Sequence, residues 1–343
     1  MKNLRSYMID MLIMLIIISI VAIYTYGFRA LICIMLSIIA AIVVETIGYI
    51  AFMKRNPERL ADLSAIFTGF VVALALPSTA PLWLAPLASA LAIAIGKLPF
   101  GNASSTPFIP AAVGLGLVTL SHPALVYTYP DLSIGDLSVP MTSDEFIAGT
   151  SLAQMLQQST SIGTNILNVI DVFVGRVTGP MGASCTIILV GALIYIIIRK
   201  QPGVAAALSF VITCAVFAFL FPRIWTGRMY SVIMELSAGL LLYSAIFFVA
   251  DPITGPNTTG GRIFYGFFGG LLTMILRRVG TYEESIIFVL LLMNATSDIY
   301  DAIPEKIAPL IKSKKSSKKK DAKPKEKEEE KQEIELGGAE VEQ

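Results

Sequence analysis

Six ionisable residues, Asp10, Glu45, Lys97, Glu235, Asp251 and Asp298, lie within or at the end of apolar runs. A charge in hydrocarbon is costly, so each must face a cavity, a partner charge or another subunit unless it reaches water from a helix end. Asp10 and Asp298 read as helix-end residues, and Lys97 and Asp251 suit either role. Glu45, in the middle of Ile42-Val43-Val44-Glu45-Thr46, does not reach an end. Glu45, Lys97 and Asp251 are therefore the candidates for coupling to an ion. Other reactive groups are sparse. His122 is the single histidine, beside Pro123 at the end of an apolar run, and reads as an interfacial side chain. Cys33, Cys185 and Cys214 form no CxxC or Cys/His cluster, so they read as small buried hydrophobes and not as metal ligands or a disulfide framework. Gly114, Gly116, Gly269 and Gly270 sit inside apolar runs, where close helix packing explains them better than phosphate binding.

The elements that carry these residues follow from composition. The chain has 343 residues, 55% of them hydrophobic and 15% charged, with a net charge of +1. Residues 305–343 hold 11 of the 26 Lys and Arg and 10 of the 25 Asp and Glu, leaving 15 charges of each sign for the first 304 residues. An ordinary domain is roughly a quarter charged, so a body charged at about a tenth buries its surface in a lipid bilayer. The balanced charge offers no basic stripe, which excludes a nucleic-acid partner. Apolar runs of membrane-crossing character predict ten spans, near 8–25, 31–53, 61–77, 82–97, 108–121, 181–198, 203–221, 231–250, 263–276 and 284–300. The first contains Asp10 and lacks a small-residue cleavage site, so it reads as a retained span and not a signal peptide.

The turns Pro77-Ser78-Thr79-Ala80-Pro81 and Pro252-Ile253-Thr254-Gly255-Pro256 follow the third and eighth spans and share the pattern Pro-x-Thr-x-Pro. If those spans correspond, the unit is five helices, and an odd number forces the two copies into opposite orientation. The expected fold is an all-α polytopic membrane protein of two inverted five-helix repeats, with the proline turns as candidate helix breaks. Residues 1–122 form the first repeat, 123–180 a long connection, 181–304 the second repeat and 305–343 a charged tail too polar to order itself. With both termini cytoplasmic, nine Lys and Arg of the body fall inside against six outside, Arg277 and Arg278 running against the trend; the tail's 11 lysines settle the count. The connection is then extracytosolic, and Ser151 to Leu156 and Ile162 to Val174 keep a spacing suited to short interfacial helices.

Ser64 to Gly69, Leu76 to Pro81 and Ile95 to Gly101 resemble the first half of the family that holds RnfD of the Rnf complex and NqrB of the sodium-pumping NADH:quinone oxidoreductase. Asp251-Pro252-Ile253-Thr254, continuing to Gly261-Arg262, and Leu290 to Ala295 resemble its second half, so that the likeness covers roughly residues 20–305. In that family the extracytosolic loop carries FMN, joined through its phosphate to a threonine in the pattern Asp-x-x-Ser/Thr-Gly-Ala-Thr. Here the loop reads Asp144-Glu145-Phe146-Ile147-Ala148-Gly149-Thr150-Ser151. The resemblance implies Thr150 as the acceptor, with Asp144 and Gly149 in its motif and Ser151 as the alternative hydroxyl. Ile147 stands where the pattern has a hydroxyl residue, and Ala148-Gly149 reverses its Gly-Ala order. A transferase needs an exposed hydroxyl with small neighbours, which Ala148 and Gly149 provide. Asn102 to Pro110 also departs from the family's Gly- and Asn-rich stretch and reads only as a broken helix entrance.

The resemblance further implies a bacterial inner-membrane electron-transfer subunit of an ion-motive ferredoxin:NAD+ oxidoreductase. Its cofactors would be covalent FMN and a non-covalent riboflavin. Its partners would be the other Rnf subunits, among them a neighbouring FMN-bearing subunit and integral membrane subunits, and a flavin transferase for maturation. The chain has no dinucleotide fingerprint, so by itself it holds no complete active site for NAD+. Read without the family, the same inverted repeats also suit a small-solute channel or transporter lacking flavin.

Overall fold

The computed structural model describes residues 4–53, 63–101, 105–130, 148–158, 168–224, 227–280 and 285–304. It is all-α apart from one two-residue strand pair. The first half contains α1 (Leu4–Tyr26), α2 (Phe28–Gly48, running into a π turn at Tyr49–Met53), α3 (Ser64–Ala75), α4 (Leu84–Gly96) and α5 (Pro110–Ser121). The connection holds α6 (Pro123–Val126), β1 (Tyr129–Pro130), β2 (Ala148–Gly149), α7 (Leu152–Gln158) and α8 (Val169–Val174). The second half holds α9 (Thr186–Ile198), α10 (Val204–Leu220), α11 (Arg228–Ser237), α12 (Leu241–Ser244, running into a π turn at Ala245–Val249), α13 (Thr259–Val279) and α14 (Ile286–Ala295).

Each expected span contains a helix, and among the described residues length and composition alone mark two to four of them as full crossings. Ser6–Tyr26 and Phe28–Ala51 are long and apolar enough to cross a membrane. Two pairs bent by 62°, Arg228–Ser237 with Leu241–Val249 and Ile286–Ala295 with Ser297–Pro304, raise the number to four. α3 has only 12 residues, about 18 Å at 1.5 Å per residue, where the hydrocarbon is about 30 Å thick. α13 has 21 residues but carries Arg262, Arg277 and Arg278. Proline explains part of the shortening: Pro77 follows α3 directly and cannot donate the hydrogen bond that would continue it.

The carbonyls freed at the end of α3 are taken by the chain entering the second half. Gly182 N donates to Leu74 O at 2.7 Å and Met181 N to Leu76 O at 3.1 Å. Arg29 Nε and Nη2 donate to Ser78 O and Ala80 O at 2.8 and 3.0 Å, which satisfies the first proline turn. At the second turn, Asp251 accepts from Ile253 N, Thr254 N and Thr254 Oγ1. Arg262 donates to Pro256 O at 2.8 Å and Pro202 O at 2.6 Å.

α12 and its π turn are buried from Leu240 to Ala250, apolar on all sides, and form the seam between the halves. Tyr243 Oη donates to Val71 O across it at 3.1 Å. Around the seam α2 packs on α4, and α10 packs on α13. Glycine is required where α5 meets α4 and where α13 meets α10: a Cβ on Gly114 would meet Ala88 O at 2.2 Å, and one on Gly266 would meet Ala206 O at 2.2 Å. Residues 305–343 lie outside the described residues.

Candidate functional site

The candidate groups collect at two places on opposite ends of α1. At the N-terminal end, Glu45 on α2 and Lys97 after α4 form a salt bridge, each 1% exposed. Lys97 also donates to Ser64 Oγ at the start of α3. A cavity of about 30 Å³, room for roughly two waters, is lined by Ser64, Thr68, Lys97, Thr106, Phe247 and Asp251, among others. The first half supplies its hydroxyls and ammonium, and the second supplies Asp251. All three ion-coupling candidates therefore meet: Glu45 through Lys97, and Lys97 and Asp251 across the cavity.

Asp10 corrects the sequence reading of a helix-end residue in water. It is 3% exposed and accepts from Arg199 Nε at 3.1 Å, Arg199 Nη2 at 2.8 Å, Tyr195 Oη at 3.3 Å and Gln201 Nε2 at 2.6 Å. It ties α1 to the α9–α10 turn. Asp298 is exposed, as expected of a helix-end residue. His122 is exposed and meets Trp83 edge-on at 5.5 Å. Glu235 is 2% exposed and lies 3.1 Å from Arg223 and 3.6 Å from Arg277. Arg277, which runs against the expected loop-charge trend, is itself 4% exposed in this pairing.

The second place is the connection. β1 and β2 pair antiparallel, with Tyr129 opposite Gly149 and Pro130 opposite Ala148. Thr150 follows β2 directly and is exposed. Ser151 is 2% exposed; its Oγ accepts from Gln154 N at 3.0 Å, and its N donates to Gln154 Oε1 at 3.3 Å. This reciprocal arrangement is a capping box that starts α7. Its signal in the sequence is the Ser-x-x-Gln spacing, which a reading of Ser151 only as an acceptor hydroxyl passes over. The cap commits the Ser151 hydroxyl to the backbone and leaves Thr150 the accessible one. The apolar face of α7, Leu152, Ala153 and Leu156, packs with Val172, Val177, Ile224, Met234 and Ala238. Asp144 lies outside the described residues.

Taken together, these features define a helical membrane protein with buried charges at a seam between two halves and a surface hydroxyl held on a docked platform. The chain belongs to the NQR2, RnfD, RnfE family, which it matches over residues 1–307. It is 27% identical over 292 residues to the RnfD component of the proton-translocating ferredoxin:NAD(+) oxidoreductase complex of Clostridium ljungdahlii, covering 84% of this chain and 86% of that one. It is 25% identical over 301 residues to the corresponding component of the ion-translocating oxidoreductase complex of Salmonella arizonae, covering 80% and 86%.

Proposed function

We propose that this chain is the membrane electron-transfer subunit of an ion-motive ferredoxin:NAD+ oxidoreductase, carrying FMN in phosphoester linkage on Thr150. The observation that carries the proposal is the placement of Thr150: an exposed hydroxyl between a paired strand and a capped, docked helix, in a chain of this family. Ala148 and Gly149 leave room for a phosphate, so the residues present fit the group. On flavinylation Thr150 Oγ would form a bond to the phosphorus of a flavin nucleotide as that phosphorus loses its bond to the leaving-group oxygen, and the threonine proton would depart with the leaving group. The peptide then gains the mass of FMN less water. Bound flavin supplies one- and two-electron chemistry, and the protein supplies placement and electrostatics.

The chain's own residues hold that platform. The capping box fixes the start of α7, and the apolar cluster anchors its face. Lys97 and Asp251 line the seam cavity and Glu45 is tied to it through Lys97, so a proton or sodium ion there would meet the Asp251 carboxylate of the second half and the hydroxyls of Ser64, Thr68 and Thr106 of the first. The packing of the second expected span on the fourth in each half, α2 on α4 and α10 on α13, supports two inverted repeats. Tyr26 Oη donates to Gly179 O at the C-terminal end of α1, and Asp10 binds Arg199 near the other. That arrangement supports an extracytosolic flavin loop opposite cytoplasmic termini, in the cell membrane beside the other subunits of the complex.

The test is made on the full chain produced with its transferase. The wild-type band should fluoresce in a denaturing gel, Thr150→Ala should be dark, and the peptide from Asp144 to Met155 should gain the mass of FMN less water. A colourless wild-type band would refute the flavoprotein reading and favour a permease.

A further inference from the structure

The loop-facing end of the second half contains a buried charge that its own carboxylate does not balance. Arg223 Nε lies 3.1 Å from Glu235 Oε1, and Arg277 Nη1 lies 3.6 Å from Glu235 Oε2. Arg277 is spent on the helix end: it donates to Glu235 O at 3.0 Å and Ala238 O at 2.6 Å. Arg223 is not. Its side chain is 10% exposed, and its Nη2 is buried without a hydrogen-bond partner among the described residues. Glu235 Oε2 likewise receives no hydrogen bond among the described residues. Arg223 also feels the like charges of Arg277 and Arg278. Arg278 is exposed at the rim, donating to Phe221 O at 3.2 Å with its guanidinium 5.9 Å from the centre of the Phe221 ring. The nearest described acid on α8, Asp171, is paired with Arg176 at 3.7 Å.

A buried guanidinium that is half paired calls for an anion, and its fork of donors suits phosphate oxygens in particular. We infer that Arg223, with Arg278 at the rim, binds a phosphate-bearing anion at this end of the second half. Two sources share that chemistry. One is the flavin phosphoester on Thr150, an assignment that rests on the reading given above: Ile224, next to Arg223, packs in one cluster with Leu152, Ala153 and Leu156, whose helix begins two residues after Thr150. The other is a phospholipid headgroup, since Phe219, Leu220, Phe221 and Val279 present an exposed apolar rim beside the arginines.

The test uses the full chain produced with its transferase and placed in nanodiscs of phosphatidylcholine, with or without phosphatidylglycerol. Wild type, R223Q, R223K and R278Q are compared by the phosphorus resonance of the attached flavin and by phosphatidylglycerol retained in native mass spectrometry. If the flavin is the source, R223Q shifts and narrows the resonance as the phosphate becomes mobile, R223K restores it in part, and lipid retention is unchanged. If the lipid is the source, the resonance stays and R223Q weakens phosphatidylglycerol binding roughly 10- to 100-fold, the loss expected of a charge-assisted hydrogen bond. R278Q gives a smaller change in the same readout and decides the matter if R223Q fails to fold. Glu283 and Glu284 lie outside the described residues; an E283Q/E284Q variant keeps the wild-type response if phosphate is the counter-ion. The inference is overturned if R223Q and R278Q leave both readouts at wild-type values. A wild-type chain without covalent flavin defeats the Thr150 reading instead, and the lipid measurement then decides the anion site alone.

Discussion

Replacing Lys97 by Met should cost the folded state about 3–5 kcal/mol, because it leaves the Glu45 carboxylate buried without its partner. Both side chains are 1% exposed, so bulk water does not replace the lost interaction. Glu45→Leu should cost a similar amount by taking the carboxylate away from the buried ammonium. Combining the two removes both charges, and an apolar pair of similar volume is often neutral or more stable than a buried ion pair. The Ser64 hydroxyl faces the cavity, where water can satisfy it. The double variant should therefore be more stable than either single one, with a coupling energy of at least about 3 kcal/mol. Reversible unfolding in mixed micelles, followed by circular dichroism, measures all four corners of the cycle. Losses that merely add would show that the two charges are solvated separately and refute the pairing. If the pair also serves ion movement, the assembled complex with the double variant should keep its flavin content and lose sodium or proton transport in vesicles.

Asp10→Ala removes the acceptor of Arg199, Tyr195 and Gln201, and should cost about 2 kcal/mol, read as a lower melting temperature; an unchanged melt would mean that α1 is not held through this residue. Ser151→Ala removes the cap on α7 and should cost about 1 kcal/mol, with the FMN mass still mapping to Thr150 by peptide sequencing. Gly266→Leu drives a side chain into Ala206 O, 2.2 Å from the position of its Cβ, and should abolish accumulation of folded protein on size exclusion; a normal yield would contradict the α10–α13 contact. Gly182→Val places atoms within 2.8 Å of Leu74 Cβ and 2.9 Å of the Tyr243 ring. In the assembled complex it should reduce ion transport more than electron transfer, and equal losses in both would count against mechanical coupling through α3.

Some of this architecture is legible in the sequence because it rests on local rules. Apolar runs place the helices, and Pro77 and Pro252 mark turns whose freed carbonyls the structure satisfies with Arg29 and Arg262. Glu45 stands out because no helix end is near. Its partner cannot be read, since Lys97 lies 52 residues away and only the packing of α2 on α4 brings them together. Asp10 is misread for the same reason: its partners are 185 to 191 residues away. Span counting meets a different limit, because hydropathy averages over a bend: the two 62° breaks fall at Ala238-Gly239-Leu240, where Gly239 has a φ of 57°, and at Thr296. Ser151 shows the converse: its short-range capping pattern is plain in the sequence, but attention to hydroxyls as acceptors conceals it.

The two functional places are joined by a single rod. Met181 and Gly182, where the connection bearing Thr150 re-enters the bundle, bind the last carbonyls of α3. At the other end of the same helix, Ser64 receives Lys97 and lines the seam cavity with Thr68. α3 spans 12 residues with almost every side chain buried, about 18 Å of helix confined by α2, α4 and the seam. A close-packed rod of this kind resists bending, so it moves as a body or not at all. Any shift of the loop anchor along its axis must therefore appear at the hydroxyls beside Lys97. This geometry gives the Gly182→Val variant its meaning: it strains the anchor without touching Thr150, Glu45, Lys97 or Asp251, so a selective loss of transport would have to travel through α3.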